Sequence, residues 1–252
     1  MLNLGERDKA HYIPGARLSI NDMNPDLICT YEAIQNSVED LILQLQELST
    51  DLSKDKYLEI RAQHELEGIA RAARFIYLNK TGFNGLWRVN AKGHYNVPWG
   101  QLRNPTIFDA SQLRLVSERL KGASITHLNF SDAVSKTQSG DVVYFDPPYI
   151  PLSNTASFSQ YAMADFGVKE QAELANTIEV LNSKSVNIVL SNSDTELSRE
   201  IFGRVLNLYQ IDASRAIAAK ASSRGSVKEI IGLTHIIPEE LLPDTMKLIS
   251  VC

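Results

Sequence analysis

Apolar positions along the chain recur at two spacings, and the alternation between them predicts an α/β protein. Arg17-Leu-Ser-Ile20 is a short strand ending at Asn21-Asp22-Met23-Asn24-Pro25. Leu27, Tyr31, Ile34, Val38, Leu41, Leu43 and Leu45 then follow at roughly helical intervals, and residues 56–78 form a second helical region. Between Gly82 and Gly100 the style changes. Leu86-Trp-Arg-Val89 and His94-Tyr-Asn-Val97 flank Asn90-Ala-Lys-Gly93, which predicts a β-hairpin with a Gly-containing turn. Helical spacing resumes over 109–121 and a strand is expected at 124–128. The run 141–145 has the composition of a strand buried on both faces. A helix over 168–181, a buried strand over 186–190 running into Ser191-Asn192, and the segments 202–211 and 229–233 complete the set. This order predicts an α/β sheet core with a helical and hairpin insertion at about residues 25–108.

Composition narrows the class. With 252 residues, 44% of them hydrophobic and 22% charged, the chain can bury a real core as one large domain or two small ones. No run reaches the length of about 18 apolar residues that a membrane helix requires. The start, Met1-Leu-Asn-Leu-Gly-Glu-Arg-Asp8, lacks the basic and apolar regions of a signal peptide. Cys29 and Cys252 offer neither a disulfide framework nor metal-ligand spacing. The expectation is a cytoplasmic protein that needs no metal.

The net charge of −5 averages over a segregation. Residues 1–67 hold thirteen acidic and six basic side chains, whereas residues 68–108 contain no Asp or Glu but carry Arg71, Arg74, Lys80, Arg88, Lys92 and Arg103. A second acid-free stretch, 213–228, carries Arg215, Lys220, Arg224 and Lys228. Such blocks suit a phosphate backbone, and equally a solvated face whose acids come from elsewhere in the fold.

The candidate chemistry lies in Asp146-Pro147-Pro148-Tyr149, directly after the strand at 141–145. Ligands of open α/β sheets bind off the carboxyl ends of strands. Consecutive prolines fix φ and carry no N–H, leaving carbonyls free to accept. A carboxylate plus a free carbonyl matches an exocyclic amine, and a tyrosine adds a face on which a planar base can stack. A surface turn that merely ends the strand is the plainer alternative.

Around this tetrapeptide the sequence resembles the Dam-type DNA adenine-N6 methyltransferases. The matching stretches are Tyr77-Leu-Asn-Lys-Thr-Gly-Phe-Asn-Gly-Leu-Trp-Arg-Val-Asn90, Asn96-Val-Pro-Trp-Gly100, Asp146-Pro-Pro-Tyr-Ile-Pro-Leu-Ser153 and Ser222-Ser-Arg-Gly225, within a likeness spanning about 18–235. The resemblance implies a Rossmann-like S-adenosylmethionine-dependent methyltransferase sheet, made of residues 1–24 and 109–252, with residues 25–108 as an inserted DNA target-recognition domain. It implies methyl transfer to the flipped adenine of a GATC-like site in double-stranded DNA, with Asp146, Pro147, Pro148 and Tyr149 catalytic. The cofactor would be held by Asp22, Met23, Phe130, Asp146 and Pro148. As alternatives, Asp22 serves as a helix N-cap and Phe130 as a core residue. DNA contacts would come from Lys80, Phe83, Asn84, Leu86, Arg88, Asn90, Asn96 and Pro98. Arg88 would be the base reader, since Arg bidentate to guanine is the commonest specific contact. Leu86 and Phe83 as hairpin packing, and Asn90 as a turn residue, are the competing roles.

Two departures from the family pattern stand out. Gln101-Leu102 replaces a basic residue followed by an aromatic, which puts recognition of the outer bases in question. The family's Phe-x-Gly-x-Gly cofactor loop is not found ahead of Asn21-Asp22-Met23-Asn24, which falls on the family's acidic cofactor loop, and Leu2-Asn3-Leu4 looks like what normally follows it. The expectation is a chain short by roughly one strand–helix unit. That shortfall would make it an internal start, one half of a split enzyme completed by a second chain, or an inactive homologue that only binds DNA. RNA adenine-N6 methylation is a further, less favoured alternative.

Overall fold

The computed structural model describes residues 16–152, 166–214, 226–243 and 245–249. The stretch Ser222-Ser-Arg-Gly225, Ser153, the bases Arg215, Lys220 and Arg224, and the N-terminal residues up to Gly15 lie outside them. The chain divides into two compact units, Met1–Asn129 and Phe130–Cys252.

The first unit is mainly helical. Strand β1 (Ser19–Asn21) leads into α1 (Pro25–Asn36), whose start is set by Pro25 and by Asn24, the side chain of which accepts from the Asp26 and Leu27 amides. The apolar periodicity that continues to Leu45 belongs to two helices, since Ser37 (φ −149°, ψ 42°) breaks the chain before α2 (Val38–Leu48). The second helical region is likewise divided, into α3 (Lys54–Ala62) and α4 (Gly68–Thr81). Helix α4 packs against α1, α2 and α3, and the fully buried Leu41, Leu45, Tyr57, Ala72, Ala73, Tyr77 and Leu78 form the centre of the core. Helix α5 (Ala110–Leu120), capped by Asp109, precedes β2 (Ser124–Thr126), which pairs in parallel with β1.

The expected hairpin is a looped version of itself. Its arms pair as the isolated bridges Val89–Tyr95 and Gly82–Trp99 and not as a continuous ladder. A 3₁₀ turn at Phe83–Gly85, with Asn84 at φ 53°, displaces the first arm. At the tip the Asn90 side-chain oxygen accepts from the amides of Lys92 and His94, and Gly93 takes φ +76°, a left-handed value natural for glycine. Backbone bonds from Phe83 to the Pro98 carbonyl and from Gly100 to the Thr81 carbonyl, each 2.8 Å, fasten the base of the loop to the end of α4.

Two stacked imidazoles tie the loop to the α3–α4 connection. The rings of His64 and His94 lie 3.8 Å apart, 6° from parallel. Desolvation lowers the His64 pKa, His94 and Arg74 lower it further, and Glu65 opposes them. The unfolded chain therefore takes up this proton first, so stability is present above the ordinary value of 6.5 and is lost as pH falls from there through the lowered folded-state value. Thermal unfolding followed from about pH 7.5 to about pH 5.5 is expected to show a falling midpoint, and His64→Gln to flatten part of that fall. Identical slopes for the two proteins would remove this role from the pair.

The second unit holds a five-stranded mixed sheet in the order β3-β4-β6-β5-β7. After a short helix α6 (Phe130–Ala133) come β3 (Val142–Phe145), α7 (Val168–Ser183), β4 (Asn187–Ser193) and α8 (Glu196–Phe202). Strands β5 (Asn207–Ser214), β6 (Ser226–Leu233) and β7 (Met246–Leu248) follow. Strand β4 runs parallel to β3 and antiparallel to β6. Its apolar residues, with Leu174, Ile178 and Leu181 of α7 and Phe202 of α8, build the core. The expectation that β3 is buried on both faces is corrected. Val142 and Tyr144 are 64% and 60% exposed while Phe145 is buried, because β3 ends the sheet order among the described residues and alternate side chains point away from the core.

Candidate active site

The carboxyl end of β3 lies beside the middle of β4, with Phe145 paired to Leu190, so that Asp146, just past β3, comes next to Ser191 within β4. Ser191 donates from Oγ to Asp146 Oδ1 at 3.0 Å, and its hydroxyl also lies 3.0 Å from Tyr144 Oη. The carboxylate is thus held by one oxygen at an exposed strand end. Tyr149 is 37% exposed. Burial raises its phenol pKa, the hydrogen bond with Ser191 opposes that, and Glu229, Asp146 and Tyr144 add to it, so the ring is a neutral aromatic face.

Beneath the loop lie two buried amides. Gln171, on the first turns of α7, donates from Nε2 to the Pro148 carbonyl at 2.7 Å. Asn192 accepts the Ile150 amide on Oδ1 at 2.9 Å and donates from Nδ2 to Gln171 Oε1 at 3.3 Å. Their exposures are 2% and 0%. Neither Ser191, Gln171 nor Asn192 was a candidate from sequence. The available signal was the polar Ser191-Asn192 pair closing an otherwise apolar strand.

In the first unit, Asp22 follows β1 and accepts the Asn24 amide on Oδ1 at 2.7 Å. The helix cap itself is Asn24, so the N-cap alternative for Asp22 does not apply. Asn21 clasps the Leu128 backbone, accepting from its amide and donating to its carbonyl, both at 2.9 Å, which fixes the ends of β1 and β2. Met23 is 63% exposed, and its carbonyl lies 3.0 Å from His127 Nε2. In the second unit, half-buried Phe130 meets Phe166 edge-on, ring centroids 5.9 Å apart.

The loop residues separate by role. Arg88 donates from Nε to Asn96 Oδ1 at 2.6 Å and from Nη2 to the Asn96 carbonyl at 3.1 Å, so Asn96 orients Arg88. Asn90 spends its side-chain oxygen inside the turn. Phe83 and Leu86 remain 39% and 47% exposed. Exposed Pro98 gives its carbonyl to the Phe83 amide, Asn84 occupies the left-handed turn, and Lys80 is half-buried at the end of α4. Two bases of the acid-free stretch have structural partners. Arg71 pairs with Asp26 at 2.6 Å, and buried Arg74 donates to the Ile60 and Arg61 carbonyls at the end of α3.

Among the described residues no group of three or more His, Cys, Asp or Glu is placed to hold a metal, and no helix is long and apolar enough to cross a membrane.

Residues 9–217 match the family model of the D12 class N6 adenine-specific DNA methyltransferases. The type II methyltransferase M1.LlaDCHI of Lactococcus lactis is 40% identical over 220 residues, covering 84% of this chain and 77% of that protein. The type II methyltransferase M.MjaIII of Methanocaldococcus jannaschii is 36% identical over 82% of this chain and 76% of its own length. The DNA adenine methylase of Escherichia coli K12 is 32% identical over 86% of this chain and 79% of its own. A relationship at this identity over four-fifths of the sequence, with the Asp146 loop at a strand end, establishes the family: this chain is a D12 class N6 adenine-specific DNA methyltransferase.

Proposed function

We propose that this chain methylates N6 of the adenine in a GATC-like site of double-stranded DNA, with the base flipped out of the duplex onto Tyr149. The observation that carries the reading is the Asp146 loop: a carboxylate held from one side by Ser191, a Pro147 carbonyl with no hydrogen-bond partner among the described residues, and a neutral aromatic ring, all within four residues. An aromatic amine is a weak nucleophile because its lone pair is shared with the ring. Accepting its two N–H bonds on Asp146 and the Pro147 carbonyl localises that pair on nitrogen, and Asp146 is the acceptor for the proton that N6 sheds. Flipping costs a few kcal/mol of unstacking, which stacking on Tyr149 offsets.

The donor in this reading is S-adenosylmethionine, which when bound supplies a methyl group from its sulfonium. The side chains present suit it. In the first unit Asp22 keeps a second carboxylate oxygen, which suits ribose hydroxyls, beside exposed Met23; in the second, this reading assigns the cofactor to half-buried Phe130 and to Asp146 and Pro148. Calorimetric titration with S-adenosylmethionine tests this set, and no binding heat with a DNA-binding protein would leave a recognition module only.

In the same reading residues 25–108 form the recognition domain and residues 1–24 and 109–252 the catalytic one. Lys80, Phe83, Asn84, Leu86, Arg88 and Pro98 face DNA, while Asn96 acts through Arg88 and Asn90 through the turn. Support for GATC comes from the sequence resemblance around Arg88. Arg88→Ala is expected to cost about 1–3 kcal/mol on a GATC duplex and much less on a scrambled one, with Asn96→Ala intermediate, as read by fluorescence anisotropy. Equal losses on both duplexes would reassign Arg88 to the backbone. For the reaction itself, DNA from cells expressing the chain should resist a methyl-sensitive nuclease at GATC, and complete cutting would overturn the proposal.

A further inference from the structure

Tyr149 is flanked by two backbone groups that end on one pair of buried side chains. Before it, the Pro148 carbonyl accepts from Gln171 Nε2; after it, the Ile150 amide donates to Asn192 Oδ1; and Asn192 Nδ2 closes the path to Gln171 Oε1. The Asn192 oxygen also takes the Ser193 amide at 2.8 Å, which binds the amide to its own strand. Gln171 is set in turn by the start of α7, where Glu170 accepts the Gly167 amide at 2.7 Å. Buried primary amides cost free energy unless fully bonded, so a satisfied pair at a loop is a rigid element.

The two carbonyls of the double proline thereby receive different tasks. That of Pro148 is tied down by Gln171, and among the described residues that of Pro147 has no partner. We infer that Gln171 and Asn192 are positioning residues for methyl transfer: they clamp both flanks of Tyr149, so that its ring and the Pro147 carbonyl stand ready for the target base before it arrives. This rests on the reading of the Asp146 loop as the adenine site. Pre-organisation of this kind acts on kcat, because a misplacement of about 1 Å at reacting atoms costs on the order of 100-fold.

Gln171→Glu is the informative variant. The side chain keeps its shape, but a carboxylate faces the Pro148 carbonyl with no proton to donate, whereas the protonated acid restores the donor. At about pH 9 kcat is expected to fall by about 10- to 100-fold with KM for DNA within about twofold, and the deficit to shrink as pH falls, because burial raises the pKa of the introduced carboxyl. Gln171→Leu should be impaired at every pH. A Gln171→Glu enzyme with wild-type kcat throughout, or with the loss in KM alone, overturns the inference. Hydrogen exchange at the Ile150 amide decides the clamp independently of catalysis. Asn192→Ser should accelerate it by about tenfold or more, and an unchanged rate overturns the inference. Wild-type protein that transfers no methyl group to adenine-containing DNA would sink the reading of the site, while the exchange rates would still report on the clamp.

Discussion

Asp146→Asn is expected to lower kcat by about 100- to 1000-fold while DNA affinity stays within about twofold. The substitution is nearly isosteric, and an amide oxygen can still accept from Ser191 Oγ, so the loop keeps its shape. The atom that changes is the second one. In the proposed reading, a carboxylate oxygen that faces the target amine becomes an NH₂ group, and two sets of N–H bonds then oppose each other. Both the localisation of the N6 lone pair and the acceptor for its proton are lost together. Asp146 is in the second compact unit, whereas the loop carrying Arg88 is in the first, so recognition should survive. Steady-state methyl incorporation, with anisotropy on the same protein, separates the two effects. A fall in kcat smaller than about tenfold would mean that Asp146 only shapes the turn.

Gly100→Ala is expected to destabilise the first unit by about 1–3 kcal/mol or more. A Cβ at this position would stand 2.7 Å from the Gly82 carbonyl oxygen, 2.9 Å from its carbon and 2.9 Å from the Thr81 carbonyl oxygen. All three are backbone atoms, so no side chain can swing aside. Relief requires the base of the loop to part from α4, with loss of the Gly100 to Thr81 hydrogen bond and the Gly82–Trp99 bridge. Urea unfolding should show a lower midpoint at constant slope. Specific DNA binding should weaken with it, because Arg88 and Asn96 sit on the loop so released. An unchanged midpoint would show that the junction tolerates separation.

Much of this architecture was legible in the chain. Period and punctuation located most of the helices and sheet strands, because amphipathic segments ended by Asn24-Pro25 or Asp109 carry their own boundaries. Where periodicity failed, the reason was local. Leu27 to Leu45 reads as one helix because the apolar stripe continues in phase past Ser37, whose backbone alone marks the break. Strand β3 reads as buried because Val142 and Tyr144 are apolar, yet a strand at the end of a sheet leaves alternate residues outside. The tetrapeptide at Asp146 was visible as chemistry. Its supports were not, since Ser191, Gln171 and Asn192 are ordinary polar residues 20 or more positions away in sequence, given meaning only by pairing β3 with β4 and laying α7 against β4.

The partners of Arg71 and Arg74 bear on how this protein responds to ionic strength. Each phosphate neutralised on duplex DNA releases condensed counterions and steepens the fall of log K with log salt by about 0.9. By composition, the acid-free stretch 68–108 offers six cations to that process. Arg71 already faces a carboxylate and Arg74 is sealed against the end of α3, so neither is available to neutralise a phosphate. What remains are Lys80, Arg88, Lys92 and Arg103, and a base-reading Arg88 would be spent on guanine. If all of them meet phosphates, or all but Arg88, the stretch contributes a slope of about −2.7 to −3.6, so its share of binding should survive a rise in salt that would release a surface using all six.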